Sequence, residues 1–333
     1  MNLHQCLGAA WFSPRLTPLS VLLAPASLVF VGATIVRRAL YRCGVFSTER
    51  LPVPVVVVGN ITVGGSGKTP LTIALASELA RRGWHPGIVS RGYRAKNRAP
   101  RAVGVADDPD EVGDEPLLLA RTGFPVWIGA DRPAAARALL AAHPDRDVVI
   151  ADDGLQHYAL GRDIEIAVID AARGLGNGLP LPAGPLREPA ARLGRVDAVV
   201  RLGGAARSPG EFAMTLVGER FARVNDGTIT AGAGLFHSGA VHAIAGIGDP
   251  ARFFAQLAAL GIEATCHPFP DHHRYTAADL AFSGATAILM TEKDAVKCKT
   301  FADDRCWVLP VSATVEPALF VLVERGLRGP KTA

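Results

Sequence analysis

A glycine-rich loop between a predicted strand and a predicted helix constrains this chain more than any other feature. Residues 54–58 form an apolar, valine-rich run typical of a buried strand, and residues 71–80 carry leucines four apart, as a helix does. Between them lies the sequence Thr62-Val63-Gly64-Gly65-Ser66-Gly67-Lys68-Thr69. Strand, glycine loop, Lys-Thr and helix, in this order, predict a phosphate-binding loop.

The residue types of the loop suit phosphate for physical reasons. Glycine has no Cβ, so backbone N–H groups can turn toward phosphate oxygens, and the helix N-terminus adds about half a positive charge. We expect Lys68 to reach the outer phosphates and the Thr69 hydroxyl to hold Mg²⁺. The general pattern has glycine where this chain has Thr62. An ordinary turn would not need three glycines followed by Lys-Thr.

Two carboxylates follow another apolar run. Residues 148–150 read as a buried strand, and Asp152 and Asp153 stand at its carboxyl end. Ligands of open α/β sheets bind at that edge, and a nucleotide loop needs a carboxylate on the Mg²⁺ side. A plain Asp-Asp-Gly turn is the alternative in isolation. Beside a phosphate loop we favour the metal-side role.

The rest of the chain alternates strands and helices, which predicts a parallel sheet built from βαβ units. Further strands are predicted at residues 86–90, 125–129, 165–169 and 198–202, and helices at 111–122 and 133–142. The rhythm changes near residue 221. From there we predict strands at 221–224, 241–246, 287–290 and 308–311, the last returning to the first domain, and helices at 250–260, capped by Asp249, and 316–326.

Composition excludes some classes of function. The chain has 333 residues, and only 6% are aromatic, which argues against a base-stacking platform for nucleic acid. A net charge of +4 suits an anionic surface or a phosphorylated substrate but is too small to imply DNA binding. The five cysteines are scattered and odd in number, which favours a reducing, cytoplasmic compartment.

An uncharged apolar segment covers residues 16–36 and is followed by Arg37, Arg38 and Arg42. About 20 apolar residues can cross a bilayer as a helix. Because Pro18 and Pro25 make this a poor spanning helix, we favour a helix lying in the cytoplasmic leaflet, with arginines meeting anionic head groups. A spanning helix and a buried core helix are the open alternatives. A cleaved signal peptide fits poorly, since no small-x-small site follows.

Seven short motifs occur together and in a fixed order. They are Gly59-Asn60 through Lys68-Thr69-Pro70, Ser90-Arg91-Gly92-Tyr93, Val112-Gly113-Asp114-Glu115-Pro116, Asp152-Asp153-Gly154-Leu155-Gln156-His157, Pro185-Leu186-Arg187-Glu188, Phe269-Pro270-Asp271-His272-His273 and Thr291-Glu292-Lys293-Asp294. In this respect the chain resembles the tetraacyldisaccharide 4′-kinase family of the lipid A pathway of Gram-negative bacteria. In that family Thr62 at the first loop position is usual.

The resemblance implies ATP- and Mg²⁺-dependent phosphorylation of the 4′-hydroxyl of a tetraacylated glucosamine disaccharide 1-phosphate. It also implies a monomeric, peripheral or monotopic protein on the cytoplasmic face of the inner membrane. The implied fold is α/β: a P-loop NTPase-like parallel sheet with helices on both faces, joined by a β-strand linker to a smaller α/β domain. We divide the chain into a membrane-associating region at 1–45, a kinase domain at 46–225 with 311–333 packing back on it, and a C-terminal domain at 226–310.

The resemblance pairs Asp114 with His272 as the catalytic base in the cleft between domains. The carboxylate would orient the imidazole, which takes the proton of the attacking sugar hydroxyl. From the residues alone, Asp114 could instead be a helix N-cap, and His272 a solvated loop histidine or part of a metal site with Cys266, His267 and His273. The spacing fits no standard zinc site. His273 is the next candidate base.

The resemblance also assigns metal-side and substrate residues. Glu188 would lie near the metal, with Asp153 as the favoured carboxylate and Asp152 behind it or on the substrate side; otherwise Glu188 is a surface carboxylate paired with Arg187. Residues 292–294 could shape the cleft through ion pairs. Contacts to substrate or nucleotide are expected from Ser90, Arg91, Gly92, Tyr93, Arg132, Gln156 and His157.

Two other classes of function fit the phosphate loop. One is a membrane-associated P-loop ATPase or GTPase that acts as a switch or scaffold, with no small-molecule acceptor. The other is an interaction protein in which the nucleotide is only structural. Titration with MgATP, with and without the disaccharide lipid, separates these classes from a lipid kinase.

Overall fold

The computed structural model describes residues 3–92 and 99–329 and contains two β-sheets. The helices in this part of the chain are α1 (Leu3–Trp11), α2 (Pro18–Arg42), α3 (Lys68–Arg81), α4 (Pro109–Val112), α5 (Asp114–Ala120), α6 (Arg132–Ala142), α7 (Pro250–Ala259), α8 (Glu292–Cys298) and α9 (Pro317–Arg328). The strands are β1 (Val55–Gly59), β2 (Pro86–Ser90), β3 (Arg101–Ala102), β4 (Val126–Ile128), β5 (Val148–Asp152), β6 (Ile164–Asp170), β7 (Ala198–Leu202), β8 (Glu211–Val217), β9 (Arg220–Arg223), β10 (Thr230–Gly232), β11 (Val241–Ala245), β12 (Thr265–Pro268), β13 (Ala287–Thr291), β14 (Cys306–Leu309) and β15 (Ser312–Val315).

The larger sheet has nine strands in the order β15-β8-β7-β6-β1-β5-β2-β4-β3. Strand β1 lies at its centre, parallel to both β5 and β6. Every residue of β1 is buried because helices cover both faces of the sheet. Val56 and Val58 pack with α3 and α9, whereas Val55 and Val57 pack with α6 on the other face. The continuous valine run therefore reflects burial on two sides.

The smaller sheet has six strands in the order β10-β9-β14-β13-β11-β12. Strands β11 to β14 are mutually parallel, and β9 and β10 add an antiparallel edge. Its core is more aromatic than that of the larger sheet. The rings of Phe221 and Phe236 lie 4.6 Å apart, and Trp307 lies 5.5 Å from Phe236, both pairs edge to face.

The chain passes between the sheets twice, and here the sequence prediction was partly wrong. The segment predicted to return to the first domain at 308–311 instead completes β14 of the smaller sheet, and the returning strand is β15, antiparallel to β8. The helix predicted at 111–122 is split by Gly113, whose φ is +93°. Asp249 precedes α7, but its carboxylate caps no backbone N–H and instead accepts from Arg252 Nη2 at 3.2 Å.

The long apolar helix α2 docks on the larger unit along one narrow line. The Ser27 hydroxyl donates to the carbonyl of Pro180 at 2.8 Å, and beside it the Trp11 indole of α1 donates to the carbonyl of Pro182 at 2.8 Å. Only Ser20 and Ser27 of α2 are buried, while Leu22 is 76% exposed and Leu28 74%. The interpretation of this segment as a core helix is therefore wrong. By length and composition α2 could cross a membrane.

Truncating Phe221 should destabilise the protein because its ring is fully buried between Phe236 and its neighbours. We expect Phe221→Ala to lower the free energy of unfolding by about 3–5 kcal/mol, the cost of an aromatic-sized cavity. The matched control is Leu235→Ala, next to Phe236 in the chain, where the side chain is 59% exposed. This variant should change stability by no more than about 0.5 kcal/mol. Urea unfolding followed by circular dichroism measures both, and equal losses would contradict the packing described.

Candidate active site

The phosphate loop is shaped by glycines in left-handed conformations and by one buried amide. Gly64 and Gly67 have φ of +93° and +83°, and a Cβ on Gly67 would lie 2.7 Å from the Leu202 side chain. The Asn60 side chain donates to the Ser66 hydroxyl at 2.9 Å and to the Gly64 carbonyl at 3.4 Å. The Asn60 side chain therefore fixes the shape of the loop from its inner side. Helix α3 begins at Lys68, directly after Gly67.

Lys68 points to the end of the neighbouring strand. Its Nζ lies 3.7 Å from Asp153 Oδ1, and Arg187 Nη1 donates to both oxygens of the same carboxylate at 3.1 Å. Burial alone would raise the pKa of Asp153, but Lys68 and Arg187 outweigh it and hold the pKa below its usual range. Asp153 is thus an ionised carboxylate between two cations, with its backbone at φ +49°.

Asp152 has the opposite environment. It is fully buried, and its Oδ1 accepts from the Thr72 hydroxyl at 2.9 Å. Burial and the charge of Glu115 raise its pKa. Within the described ranges its Oδ2 has no hydrogen-bond partner. A buried carboxylate oxygen without a hydrogen-bond partner is an arrangement that a cation can complete, and Thr69 in the first turn of α3 is buried as well.

Asp114 and His272 come from different units and meet. Asp114 opens α5 after Gly113, and its Oδ2 lies 3.0 Å from Nδ1 of His272, in the loop after β12. Burial would raise the pKa of Asp114, but the hydrogen bond from His272 and the charge of Lys293 lower it. Because the ionised carboxylate can only accept, Nδ1 is the donor, and in the neutral ring Nε2 carries the lone pair.

His273 faces away from Asp114. Its ring packs against those of Phe269 and Tyr275, with centroids 4.6 and 4.8 Å apart. His267 is turned to His242 instead, with 2.9 Å between ring nitrogens. No group of three or more His, Cys, Asp or Glu suited to a metal occurs among residues 3–92 and 99–329. The alternative of a metal site with Cys266 and the three loop histidines is therefore wrong.

A partly buried ion pair beside Asp114 joins the two units. Lys293 Nζ lies 3.0 Å from Glu115 Oε1 and 3.9 Å from Asp114 Oδ2. Burial would lower the pKa of Lys293, but Glu115 and Asp114 raise it, so the amine stays charged. Lys293 and Glu115 each lie in one of the sequence motifs, but their contact is visible only in the folded structure, where the two units meet. The ion pairs expected of residues 292–294 thus include one that reaches the opposite unit.

A cavity of about 730 Å³ separates the phosphate loop from the smaller sheet. Lys68, Thr69, Glu115 and Lys293 line it, together with apolar side chains such as Phe253. Asp114 and His272 line an adjoining groove of about 500 Å³. The Asp114–His272 pair therefore lies next to the cavity at the phosphate loop. Lys293 lines that cavity and also contacts Asp114.

The loop before α7 covers one end of this cavity. Arg173 Nη1 donates to the carbonyl of Gly248 at 2.9 Å, and Arg252 forms an ion pair with Asp170 of the larger sheet. Backbone meets backbone here: a Cβ on Gly248 would lie 2.4 Å from the amide nitrogen of Gly65. The smaller unit thus sits directly on the phosphate loop.

Glu188 is not a surface residue paired with Arg187, as the residues alone suggested. It is buried, and its carboxylate accepts from Gln156 Nε2 at 2.9 Å and from the Tyr158 hydroxyl at 2.6 Å. Gln156 Nε2 also donates to the Asn60 carbonyl at 3.0 Å. Glu188 and Gln156 are thereby tied to the strand that leads into the phosphate loop.

The expected substrate residues lie at the same sheet edge. Ser90 is buried at the end of β2, next to β5, and Arg91 and Gly92 follow it; Tyr93 lies outside the described residues. Arg132 is buried and donates through Nη1 to the Gly129 carbonyl at 2.7 Å. Its backbone N–H donates to His157 Nε2 at 3.3 Å, so this histidine acts as an acceptor.

The nine-stranded, largely parallel sheet and its loop define a P-loop NTPase-like α/β protein. Residues 19–328 match the sequence profile of the family described as tetraacyldisaccharide-1-P 4′-kinase, and the chain belongs to that family. A tetraacyldisaccharide 4′-kinase of Azoarcus sp. (strain BH72) is 53% identical over 90% of this chain and 89% of its own. One of Dechloromonas aromatica (strain RCB) is 49% identical over 99% of this chain and 100% of its own.

A solved structure confirms the fold. The crystal structure of an "apo" form of LpxK from Aquifex aeolicus in complex with ATP superimposes with a TM-score of 0.78 at 29% sequence identity. The match covers 93% of this chain and 99% of that one.

Replacing His157 should reduce the loss of stability in acid. Burial and the charge of Arg132 lower the pKa of His157 to about 4, whereas an unfolded histidine titrates near about 6.5. The stability supplied by the neutral ring is therefore complete above about pH 6.5 and is lost as the pH falls toward about 4. We expect the free energy of unfolding of the wild type to fall by on the order of 1 kcal/mol by about pH 5, after allowance for partial exposure. The His157→Gln variant lacks the titrating ring and should not show this fall.

Urea unfolding at neutral pH and at about pH 5 measures this difference. His237→Gln, at an exposed histidine, is the matched control and should follow the wild type. A His157→Gln variant with the same pH dependence as the wild type contradicts the prediction.

Proposed function

We propose that this protein transfers the γ-phosphoryl group of ATP to the 4′-hydroxyl of a tetraacylated glucosamine disaccharide 1-phosphate, a precursor of lipid A. Family membership supports the reaction. The observation that carries the assignment of roles is the 3.0 Å contact of Asp114 with His272, because it sets an acid–base pair from two units beside the phosphate loop. A nucleotide switch without an acceptor has no use for such a pair.

ATP binding is assigned to the loop at 62–69 and to Lys68. The loop amides and the N-terminus of α3 present partial positive charge to the phosphates. Lys68 is held toward Asp153 and needs only a small movement to bind a phosphate oxygen. Phosphoryl transfer depends on this positioning and on charge neutralisation more than on covalent chemistry.

The buried oxygens near the loop fit Mg²⁺. Asp152 Oδ2 lacks a partner in the described part of the chain, and Thr69 lies in the first turn of α3, directly after Lys68. Magnesium usually takes only one or two protein carboxylates and completes its shell with water and substrate phosphates. Bound there, it would neutralise charge on the transferred group. We assign Thr69 and Asp152 as ligands of the ion, whereas Asp153 pairs with Lys68 and Arg187. Glu188 is connected to this corner through its hydrogen bond from Gln156.

Asp114 and His272 are assigned to the proton of the sugar hydroxyl. The carboxylate fixes the ring through Nδ1, so that Nε2 can accept the proton as the hydroxyl attacks. Lys293 would compensate the negative charges of Asp114 and Glu115, since its amine contacts both carboxylates. Ser90, Arg91, Gly92, Arg132, Gln156 and His157 are proposed to contact the disaccharide or the nucleotide.

We further propose that the protein lies on the cytoplasmic face of the inner membrane. The support is α2, whose exposed side carries Leu22, Leu28, Val29, Ile35 and Val36, each more than half exposed. An apolar surface of this kind is costly in water and suits the acyl layer of a leaflet. Its other side is fixed to the larger unit by Ser27, which favours a helix lying along the membrane surface.

Removal of the Lys68 amine should abolish transfer. We expect Lys68→Ala to reduce kcat/KM by at least about a thousandfold, since the loop lysine is a main cation on the transferred phosphate. The assay uses labelled ATP and the detergent-solubilised disaccharide 1-phosphate. Arg325→Ala, an exposed cation in α9, is the control and should retain full activity. Full transfer by folded Lys68→Ala protein would refute the assignment of the loop.

The neighbouring histidines provide a matched test of the base. His272→Gln should lower kcat by about 10²–10⁴-fold with little change in the KM for ATP, because a general base acts in the transition state. His273→Gln removes a ring that packs within the smaller unit and should keep kcat near that of the wild type. A raised KM for ATP with unchanged kcat in His272→Gln would instead assign His272 to nucleotide binding.

A further inference from the structure

A third cavity, of about 320 Å³, lies at the C-terminal end of α2, away from the phosphate loop. We call it the arginine pocket. Its lining includes Arg38, Arg42, Arg50, Arg162, Arg192 and Arg195. Six arginines thus converge on one small cavity from α2, from the segment after it and from the larger unit.

The arginine pocket keeps an excess of positive charge. Glu165 pairs with Arg162 at 3.0 Å and with Arg192 at 2.5 Å. Arg42 and Arg195 are exposed, and neither has a carboxylate within ion-pair distance in the ranges 3–92 and 99–329. The dipole of α2 accounts for a cation at its C-terminus, such as Arg42, but not for the arginines that come from the larger unit.

The wall of the pocket is built rather than loose. The Tyr158 hydroxyl donates to Glu188 at 2.6 Å, and its ring faces the guanidinium groups of Arg38 and Arg162 at 5.8 and 5.3 Å. The backbone of Glu49 pairs with the same segment, donating to Ala159 and accepting from Gly161 at 2.8 and 2.7 Å. Arg38 and Arg162 are therefore held on a fixed frame, which lowers the entropy cost of binding an anion.

The pocket continues the exposed apolar surface of α2. Ile35 and Val36 are 58% and 57% exposed one to two turns before Arg42, and Val45 and Phe46 are 66% and 43% exposed just after it. A helix rises about 1.5 Å per residue, so the apolar face and the pocket are neighbours. If the apolar face enters the acyl layer, the pocket at the end of the same helix lies next to that leaflet.

We propose that the arginine pocket binds the phosphate of an anionic phospholipid of the bilayer. The fork of a guanidinium group matches phosphate oxygens two at a time. Inorganic phosphate and the 1-phosphate of the disaccharide offer the same chemistry, but the continuous apolar surface beside the pocket selects a lipid already in the leaflet. The proposal rests on the membrane association proposed above and narrows it from a diffuse surface to one site.

The pocket also contacts the edge of the active site. Arg38 and Arg192 lie 3.7 and 3.4 Å from Glu188, which accepts from Gln156. A lipid phosphate drawn in by these arginines therefore binds one side chain away from the residues that meet the disaccharide.

The test is vesicle binding by the full-length chain and two double variants. Arg42→Gln with Arg195→Gln removes the two arginines that have no carboxylate partner. Arg207→Gln with Arg220→Gln removes the same charge from exposed positions elsewhere. Co-sedimentation is measured with phosphatidylcholine vesicles, with and without phosphatidylglycerol. The first pair should weaken binding to the anionic vesicles about thirtyfold, about fivefold for each arginine, and the second pair no more than about threefold.

Each other outcome has a distinct meaning. If both pairs lose affinity equally, the attraction is diffuse and the pocket assignment fails while membrane association stands. If the wild type binds no vesicle of either kind, the membrane proposal itself fails. If the pocket variant raises the KM for the disaccharide 1-phosphate in neutral detergent micelles, the pocket holds the substrate's phosphate. If inorganic phosphate at millimolar concentration releases the wild type from anionic vesicles, the site is not specific for lipid.

Discussion

The contact between Lys68 and Asp153 joins the phosphate loop to the strand beside it, and the charge balance of the site depends on it. Asp152 is buried and Asp153 and Glu115 are partly buried in this corner, and three negative charges so close to the protein interior require compensation. Lys68, Arg187 and Lys293 compensate part of the charge. The remainder, on Asp152, suits a cation that arrives with the nucleotide.

The two units are held together near the site by polar contacts more than by a shared apolar core. Asp114 meets His272, Glu115 meets Lys293, and Asp170 meets Arg252. The hydrophobic clusters of the two sheets are separate. Interfaces of this polar kind permit relative motion of domains. The contact between Asp114 and His272 exists only while the two units meet, so the proposed acid–base pair depends on the same interface.

Much of this arrangement was predictable from the sequence, because it depends on local signals. Apolar runs and glycine spacing predict the valine strand, the loop at 62–69 after it, and a second strand that ends at Asp152 and Asp153. The carboxyl ends of parallel strands meet at one edge of a sheet, which predicts that the loop and the two carboxylates lie together. The Asp114–His272 pair was available only through family resemblance, since no spacing relates residues so far apart in the chain. Strand β8 was missed because it is half-exposed, with a burial pattern that alternates only in part. The contacts of Lys293 and of Glu188 depend on packing that no single segment encodes.

The contact of Gly248 with Gly65 has a mechanical consequence. Where Gly248 lies over Gly65, nothing larger than hydrogen fits between the two main chains. A methyl group on Gly248 would collide with the main chain of Gly65 and displace the smaller unit, together with His272, from the phosphate loop. The spacing of the two units at this point is therefore set by a residue that has no side chain.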